Sequence, residues 1–256
     1  MKSTIKICLF LTLFIITSCN SQDKKFVDLE EISNDFDVSG FYKNKVKKTN
    51  EIIATEPKSV SKEKALELLN NPFFVKDTLG FFKTDGRFPT DLSLESTNDW
   101  MVRSKKPTEI FGYGYNTVAY DPEKDTIAVL NTVSFPKMNM VEDRKGNLMY
   151  LKVEKTSKNT AEFNKIKEYI SKNSKKITVD DDDPNVSYWE GKLFYYSLSK
   201  RENKEEDVSF DSQGNRKSKS IDVTEIKLIM FEKSYIKKME DLQIYSAGHQ
   251  FWKKPL

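Results

Sequence analysis

Asp143-Arg144-Lys145-Gly146-Asn147-Leu148-Met149-Tyr150-Leu151-Lys152-Val153 is a turn that feeds a strand. Asp, Gly and Asn supply the backbone freedom and local hydrogen bonds of a turn, and the apolar and aromatic run after them suits a pleated surface. The same alternation extends outward. From Phe73 to Val153, short apolar and aromatic runs are punctuated by Asp85-Gly86 and by Asp121-Pro122-Glu123-Lys124-Asp125. Thr117–Tyr120 and Thr126–Phe135 are predicted to form a hairpin about the second of these turns. Downstream, Leu193–Ser199 and Ile221–Phe231 read as strands flanking a polar stretch, Lys200–Ser220, which is either a long hairpin arm or a disordered loop. Leu242–Trp252 reads as a last strand returning to the sheet.

Two helices interrupt this pattern. Ser61 can cap Lys62–Asn70, where Ala65, Leu66, Leu68 and Leu69 form a broad apolar face closed by Asn70-Asn71-Pro72. Thr160 can cap a helix from Ala161 to about Asn173, with Phe163, Ile166 and Ile170 recurring at three and four residues. The expected fold class is α+β, a mainly antiparallel sheet with two or more amphipathic helices, in a single globular domain over 58–256.

Composition bounds the function classes. Hydrophobic residues make up 38%, charged residues 32% and aromatic residues 12% of the 256-residue chain, a balance that supports a folded core rather than disorder. The 42 basic and 39 acidic residues nearly cancel, which argues against generic nucleic-acid binding. The cluster Lys43-Asn44-Lys45-Val46-Lys47-Lys48 can touch anionic head groups or simply keep a tether solvated.

Lys2 and Lys6 precede an apolar run from Ile7 to Ile16, which is too short to span a bilayer and reads as the hydrophobic region of a cleaved signal. Ile16-Thr17-Ser18-Cys19 closes it and resembles the lipobox of a bacterial lipoprotein precursor. That resemblance implies a signal peptide over 1–18, thioether lipidation of Cys19, and a lipidated N-terminus and tether over 19–57. Two or three acyl chains on one residue hold a domain on a membrane nearly permanently. The other reading is an ordinary secretory signal with an incidental cysteine, or an uncleaved short anchor. Asn20, in place of an inner-membrane retention aspartate, points to the outer membrane facing the periplasm. Ser21-Gln22-Asp23-Lys24-Lys25 holds a single acid, which departs from the acidic stretch of some surface-displayed lipoproteins. Cys8 leaves with the signal, so disulfides, thiolate nucleophiles and cysteine metal sites are excluded from the folded part.

Catalytic kits are mostly missing. His249 is the only histidine, which rules out the two-histidine zinc-protease helix and obliges any serine triad to use it; Ser246 stands three residues before it on a predicted strand, with no strand-to-helix elbow. Asp181, Asp183 and Asn185 have the spacing of a calcium loop, but Val186 stands where glycine must turn the chain and Lys192 where glutamate must close the site. Gly112-Tyr113-Gly114-Tyr115-Asn116 fails as a nucleotide loop at Thr117 and reads as a strand whose glycines relieve crowding. No cofactor or metal is expected. Trp100, Phe111, Tyr113, Tyr115 and Tyr120 either pack in the core or form a platform for sugars or a protein partner. Trp100, Tyr113 and Tyr115 are the ligand-binding candidates, with an envelope protein or glycan as partner and the membrane engaged through Cys19. The expected function is a non-catalytic binding or accessory lipoprotein. A toxin-immunity lipoprotein and a glycan hydrolase using paired carboxylates are the alternatives.

Overall fold

The computed structural model describes residues 24–54, 71–81, 109–179, 183–210, 213 and 216–241. In chain order these form β1 (Val27–Asp28), α1 (Val38–Ala54), β2 (Phe73–Phe81), β3 (Glu109–Ala119), β4 (Ala128–Leu130), β5 (Val133–Phe135), β6 (Lys137–Asp143) and β7 (Leu148–Ser157). There follow α2 (Ala161–Asn173), β8 (Lys175–Ile177), β9 (Val186–Glu190), β10 (Phe194–Phe210), β11 (Arg216–Glu232) and α3 (Lys233–Asp241). Eight strands make one antiparallel sheet in the order β2-β3-β6-β7-β11-β10-β9-β8, and β1-β4-β5 make a small second sheet. The mainly antiparallel sheet with helices thus matches the expected class. The predicted helix at Lys62–Asn70 and strand at Leu242–Trp252 lie outside the described residues.

One face of the large sheet carries Tyr115, Met138, Met140, Leu151, Val153, Leu198, Ile226 and Leu228 into the main core. That face is covered by Val38, Phe41 and Tyr42 of α1, by Phe163, Ile166 and Ile170 of α2, and by the small sheet. Trp189, 1% exposed, reaches across to α2, where its Nε1–H donates to Ser171 Oγ at 3.2 Å. A second core lies on the opposite face, where Tyr235 of α3 packs against Phe111, Tyr150 and Phe231.

Within the tether expected over 19–57, the described residues 24–54 depart from it. Val27 and Leu29 donate backbone N–H groups to Ile127 and Val129, and Val38, Phe41 and Tyr42 are fully buried. Their scattered apolar residues looked like a solvated linker because each is isolated in sequence among charges. Asp37 starts α1 by accepting the Gly40 N–H at Oδ1, 2.8 Å.

The predicted hairpin about Asp121 is also replaced. β3 leaves to pair with β2 and β6, while the run expected as one strand over Thr126–Phe135 folds back on itself as β4 and β5. Its two-residue loop, Asn131-Thr132, has positive φ at both positions, 45° and 67°, the twist that matches a tight hairpin. Asn131 suits such a turn, but threonine is among the residues least suited to its second position, which hides the turn in the sequence. Asn131 stays in place through its N–H to Glu30 Oε1 (2.9 Å) and its Nδ2 to Lys165 O (3.0 Å).

Other expectations hold. The Asp143–Asn147 turn closes with Gly146 at φ 85°, and Asp143 Oδ1 accepts the N–H groups of Lys145 and Asn147. α2 spans Ala161–Asn173, but Thr160 makes no side-chain cap; Asn159 Oδ1 takes the Ala161 N–H instead, at 3.1 Å. The 200–220 stretch is a hairpin arm, with β10 and β11 in register out to Phe210 opposite Arg216.

Candidate functional site

The face of the sheet opposite α1 and α2 is graded. Next to α3 its cross-strand row is Val141, Tyr150, Phe231 and Tyr195. The next row runs Asn116, Asn139, Lys152, Ile229, Ser197 and Tyr188, each directly opposite its neighbour. Beyond it come Lys137, Glu154, Lys227, Ser199 and Val186. Strand alternation produces this: Met138-Asn139-Met140 and Leu151-Lys152-Val153 each bury two apolar side chains on the core face and turn one polar side chain the other way.

The charged end of this face forms a groove of about 490 Å³. Glu154 sits on its floor between two ammonium groups, Lys137 at 2.8 Å and Lys152 at 3.6 Å, and Lys152 is 5% exposed. Glu225, further along, accepts from Asn203 Nδ2 at 2.8 Å. In the second row, Asn116 is buried and gives its Nδ2–H to Asp77 at 3.0 Å. The Oδ1 atoms of Asn116 and Asn139 have no hydrogen-bond partner. Both oxygens are enclosed within the sheet face, and neither residue lines the groove.

The arm rises from the groove's end. Ser199, Lys200 and Arg201 line the groove, and outward from them Glu202–Ser209 and Arg216–Ser220 are exposed. Among the described residues β9 pairs with β10 only as far as Ser199, and β7 pairs with β11 only from Thr224, so the arm carries two open edges. Both edges are densely charged, which deters indiscriminate strand pairing.

The sequence candidates are dispersed. Tyr115 is 2% exposed, stacked on Tyr42 in the main core. Tyr113 is half-buried on the same face, with Lys76 Nζ 4.1 Å above its ring. A register shift in the β2–β3 ladder skips Phe111 and turns it to the opposite face, where it meets Tyr235. Tyr120 lines the groove. These rings do not share one platform. Trp100, Cys19, His249 and Asp180–Asp182 lie outside the described residues. Gly112 does relieve crowding, since a Cβ there would lie 1.9 Å from Glu142 O.

The polar residues that sequence reading missed are Asn116, Asn139, Lys152 and Glu142. Glu142, 3% exposed, is turned away from the groove toward α1: its Oε1 accepts from Tyr115 Oη at 2.8 Å and its Oε2 from the Ser39 N–H at 3.2 Å. Burial pushes its carboxyl above the usual range despite those donors and the nearby Lys76. Burial also raises Asp143, but the Asn147 and Lys145 N–H groups and Lys238 outweigh it, and its carboxyl lies below the usual range. The one described carboxyl held toward its protonated form is therefore buried on the face away from the groove.

Fold and groove together define an open antiparallel sheet with one face packed by helices and the other graded from apolar to charged. No model of a known family matches the chain, and no curated protein or solved structure matches it.

Proposed function

We propose that the protein is a lipid-anchored envelope component, attached through Cys19 to the outer membrane and facing the periplasm, whose folded part is a non-catalytic binding domain with the charged groove as its binding surface. The anchor rests on the resemblance of Ile16-Thr17-Ser18-Cys19 to a lipobox. The binding role is supported above all by the groove floor, where Lys137, Glu154 and Lys227 alternate in charge across neighbouring strands. Such a floor suits a polar partner carrying both donors and acceptors, an envelope protein or a glycan. In this reading α1 and α2 are amphipathic supports that hold the sheet from behind.

Paired-carboxylate hydrolysis fits less well. That chemistry needs one protonated acid beside one carboxylate across an open cleft. Glu154 is engaged by two ammonium groups on the groove floor, while Glu142 is turned away from the groove toward α1.

Two measurements test the proposal. Radiolabelled palmitate enters the native protein and not a Cys19→Ala variant; absence of label from the native protein overturns the anchor. A photo-crosslinking amino acid at Ser199 or Arg201 yields a discrete adduct in cells, whereas one at Lys167, on the exposed side of α2, does not. Lack of any groove-specific adduct overturns the binding role. The adduct's identity separates the readings, a competitor's toxin marking an immunity protein and a glycan marking a carbohydrate partner.

A further inference from the structure

The outer edge of the arm reads Lys200-Arg201-Glu202-Asn203-Lys204-Glu205-Glu206, a run whose charges change sign about Asn203. This edge of β10 is open: among the described residues β9 pairs with it only as far as Ser199, and every residue from Lys200 to Ser209 is exposed. The Lys200 N–H points off the edge, donating to Asn185 O at 3.3 Å, so strand alternation turns the N–H groups of Glu202, Lys204 and Glu206 the same way. The Lys204 N–H is taken by Asn203 Oδ1 at 2.8 Å, a side chain standing where a neighbouring strand would accept.

An antiparallel copy of the same strand centred on Asn203 sets Lys200 opposite Glu206, Arg201 opposite Glu205 and Glu202 opposite Lys204, each pair twice, so that opposite charges face each other throughout. Glu202 and Lys204 both present backbone groups at the edge, so they also exchange N–H to C=O hydrogen bonds. Centring one residue earlier or later places Glu202 or Lys204 against itself. Within the arm, Lys200 meets Glu202 at 2.9 Å and Arg216 meets Glu206 at 2.6 Å, but these pairs are exposed and individually weak, which lets them extend to a second strand.

We infer that two copies of the chain join by their arms, β10 against β10 about Asn203, which brings the arm tip of each copy to the groove of the other. The inference builds on the groove as a binding surface and names its partner, a second copy. A two-fold contact of this kind is self-complementary and closes at a dimer. Past Glu206 the incoming strand meets the turn through Asn185, where β9 begins, and leaves the plane of the sheet with the twist of a two-stranded ribbon. On one side α2 stands in the way, with Lys200 Nζ 5.7 Å above the Phe163 ring. On the other side lies the groove, whose lining includes Ser199 and Arg201 and the acids Glu154, Asp183 and Glu225. The basic tip residues Arg216 and Lys217 suit that lining.

The test places single cysteines in the full-length protein, oxidises whole cells with copper phenanthroline, and reads disulfide-linked dimer on a non-reducing gel, with the parent protein as background. Opposed residues without mutual backbone hydrogen bonds have Cα atoms about 4.5 Å apart, within disulfide reach, so Asn203→Cys should give a dimer. Arg201→Cys and Asp207→Cys lie on the same strand face, but each sits at least about 13 Å from its own copy and should give about tenfold less. Glu202→Lys added to Asn203→Cys should abolish the dimer by opposing Lys204, and Lys204→Glu added to both should restore it. No dimer at 203, or equal trapping at all three positions, overturns the inference. The groove reading is separated by the crosslinker at Ser199. An adduct to another molecule without an Asn203→Cys dimer overturns the pairing and leaves the groove as a binding surface, whereas a dimer without any Ser199 adduct supports the pairing and overturns the groove.

Discussion

Tyr42 of α1 lies flat on Tyr115 of β3, ring centroids 4.9 Å apart and planes 15° from parallel. The pair is sealed by Phe41 edge-on at 4.9 Å and Phe74 at 5.6 Å. It joins a segment that reads as tether to the middle of the sheet. Burial drives both phenol groups far above their ordinary range, so they stay protonated, and Tyr115 remains a donor to Glu142.

Truncating that anchor should cost what a large core aromatic costs. Tyr42→Ala is expected to lower stability by roughly 3–5 kcal/mol, and Tyr42→Phe by about 1 kcal/mol or less, because the Tyr42 hydroxyl reaches Met138 O only at 3.5 Å. Urea unfolding midpoints of the three proteins check this. A small effect of the alanine variant would mean that α1 is not part of the cooperative unit.

At the β4–β5 loop, Thr132 holds a left-handed backbone with a branched, exposed side chain. Thr132→Gly removes the steric cost and loses no buried contact, so stability should rise by about 1 kcal/mol, less whatever the greater freedom of unfolded glycine takes back. Thermal unfolding gives the sign.

Glu142 and Asp143 make opposite contributions to pH dependence. Glu142 has its folded pKa raised, so its contribution is full below its ordinary value of 4.5 and is lost as pH rises through the folded value. Asp143 has its folded pKa lowered, so its contribution is present above 3.8 and is lost as pH falls through the folded value. Glu142→Gln should therefore flatten the loss of stability as pH rises above 4.5, while Asp143→Asn should weaken the loss below pH 3.8. Denaturation across pH, with the wild type as reference, separates the two.

In the groove, Glu154 compensates the buried Lys152. Glu154→Gln should cost roughly 1.5–3 kcal/mol by removing one charge partner of that ammonium, and adding Lys152→Met should recover part of the loss. A double-mutant cycle reads the coupling directly, and simple additivity would show that the two groups do not interact.

The arm beyond the groove contributes little to the core. Replacing 205–221 by Asn-Gly, a natural two-residue loop between the paired Lys204 and Asp222, should leave the melting temperature within about 3 °C. The same variant tests whether a groove crosslink also needs the arm.

Much of the local structure was legible in the residues themselves. Alternation and turn formers located β7, the Asp143–Asn147 turn, α2 and the strands at both roots of the arm, because these depend on backbone geometry and on which neighbours are apolar. The polar row was legible only in hindsight, since Asn139 between two methionines and Lys152 between Leu151 and Val153 mark a second face without saying what lies over it. Tertiary structure alone decided the rest. It recruited 27–54 into the core, because isolated apolar residues become a buried surface only when a sheet exists to receive them. It turned Asn131-Thr132 against local preference, since packing of β4 and β5 beside β1 outweighs the strain of one threonine. It sent Tyr115 and Phe111 to opposite sides of one strand, because a register shift is a property of the pairing between strands and is absent from either strand alone.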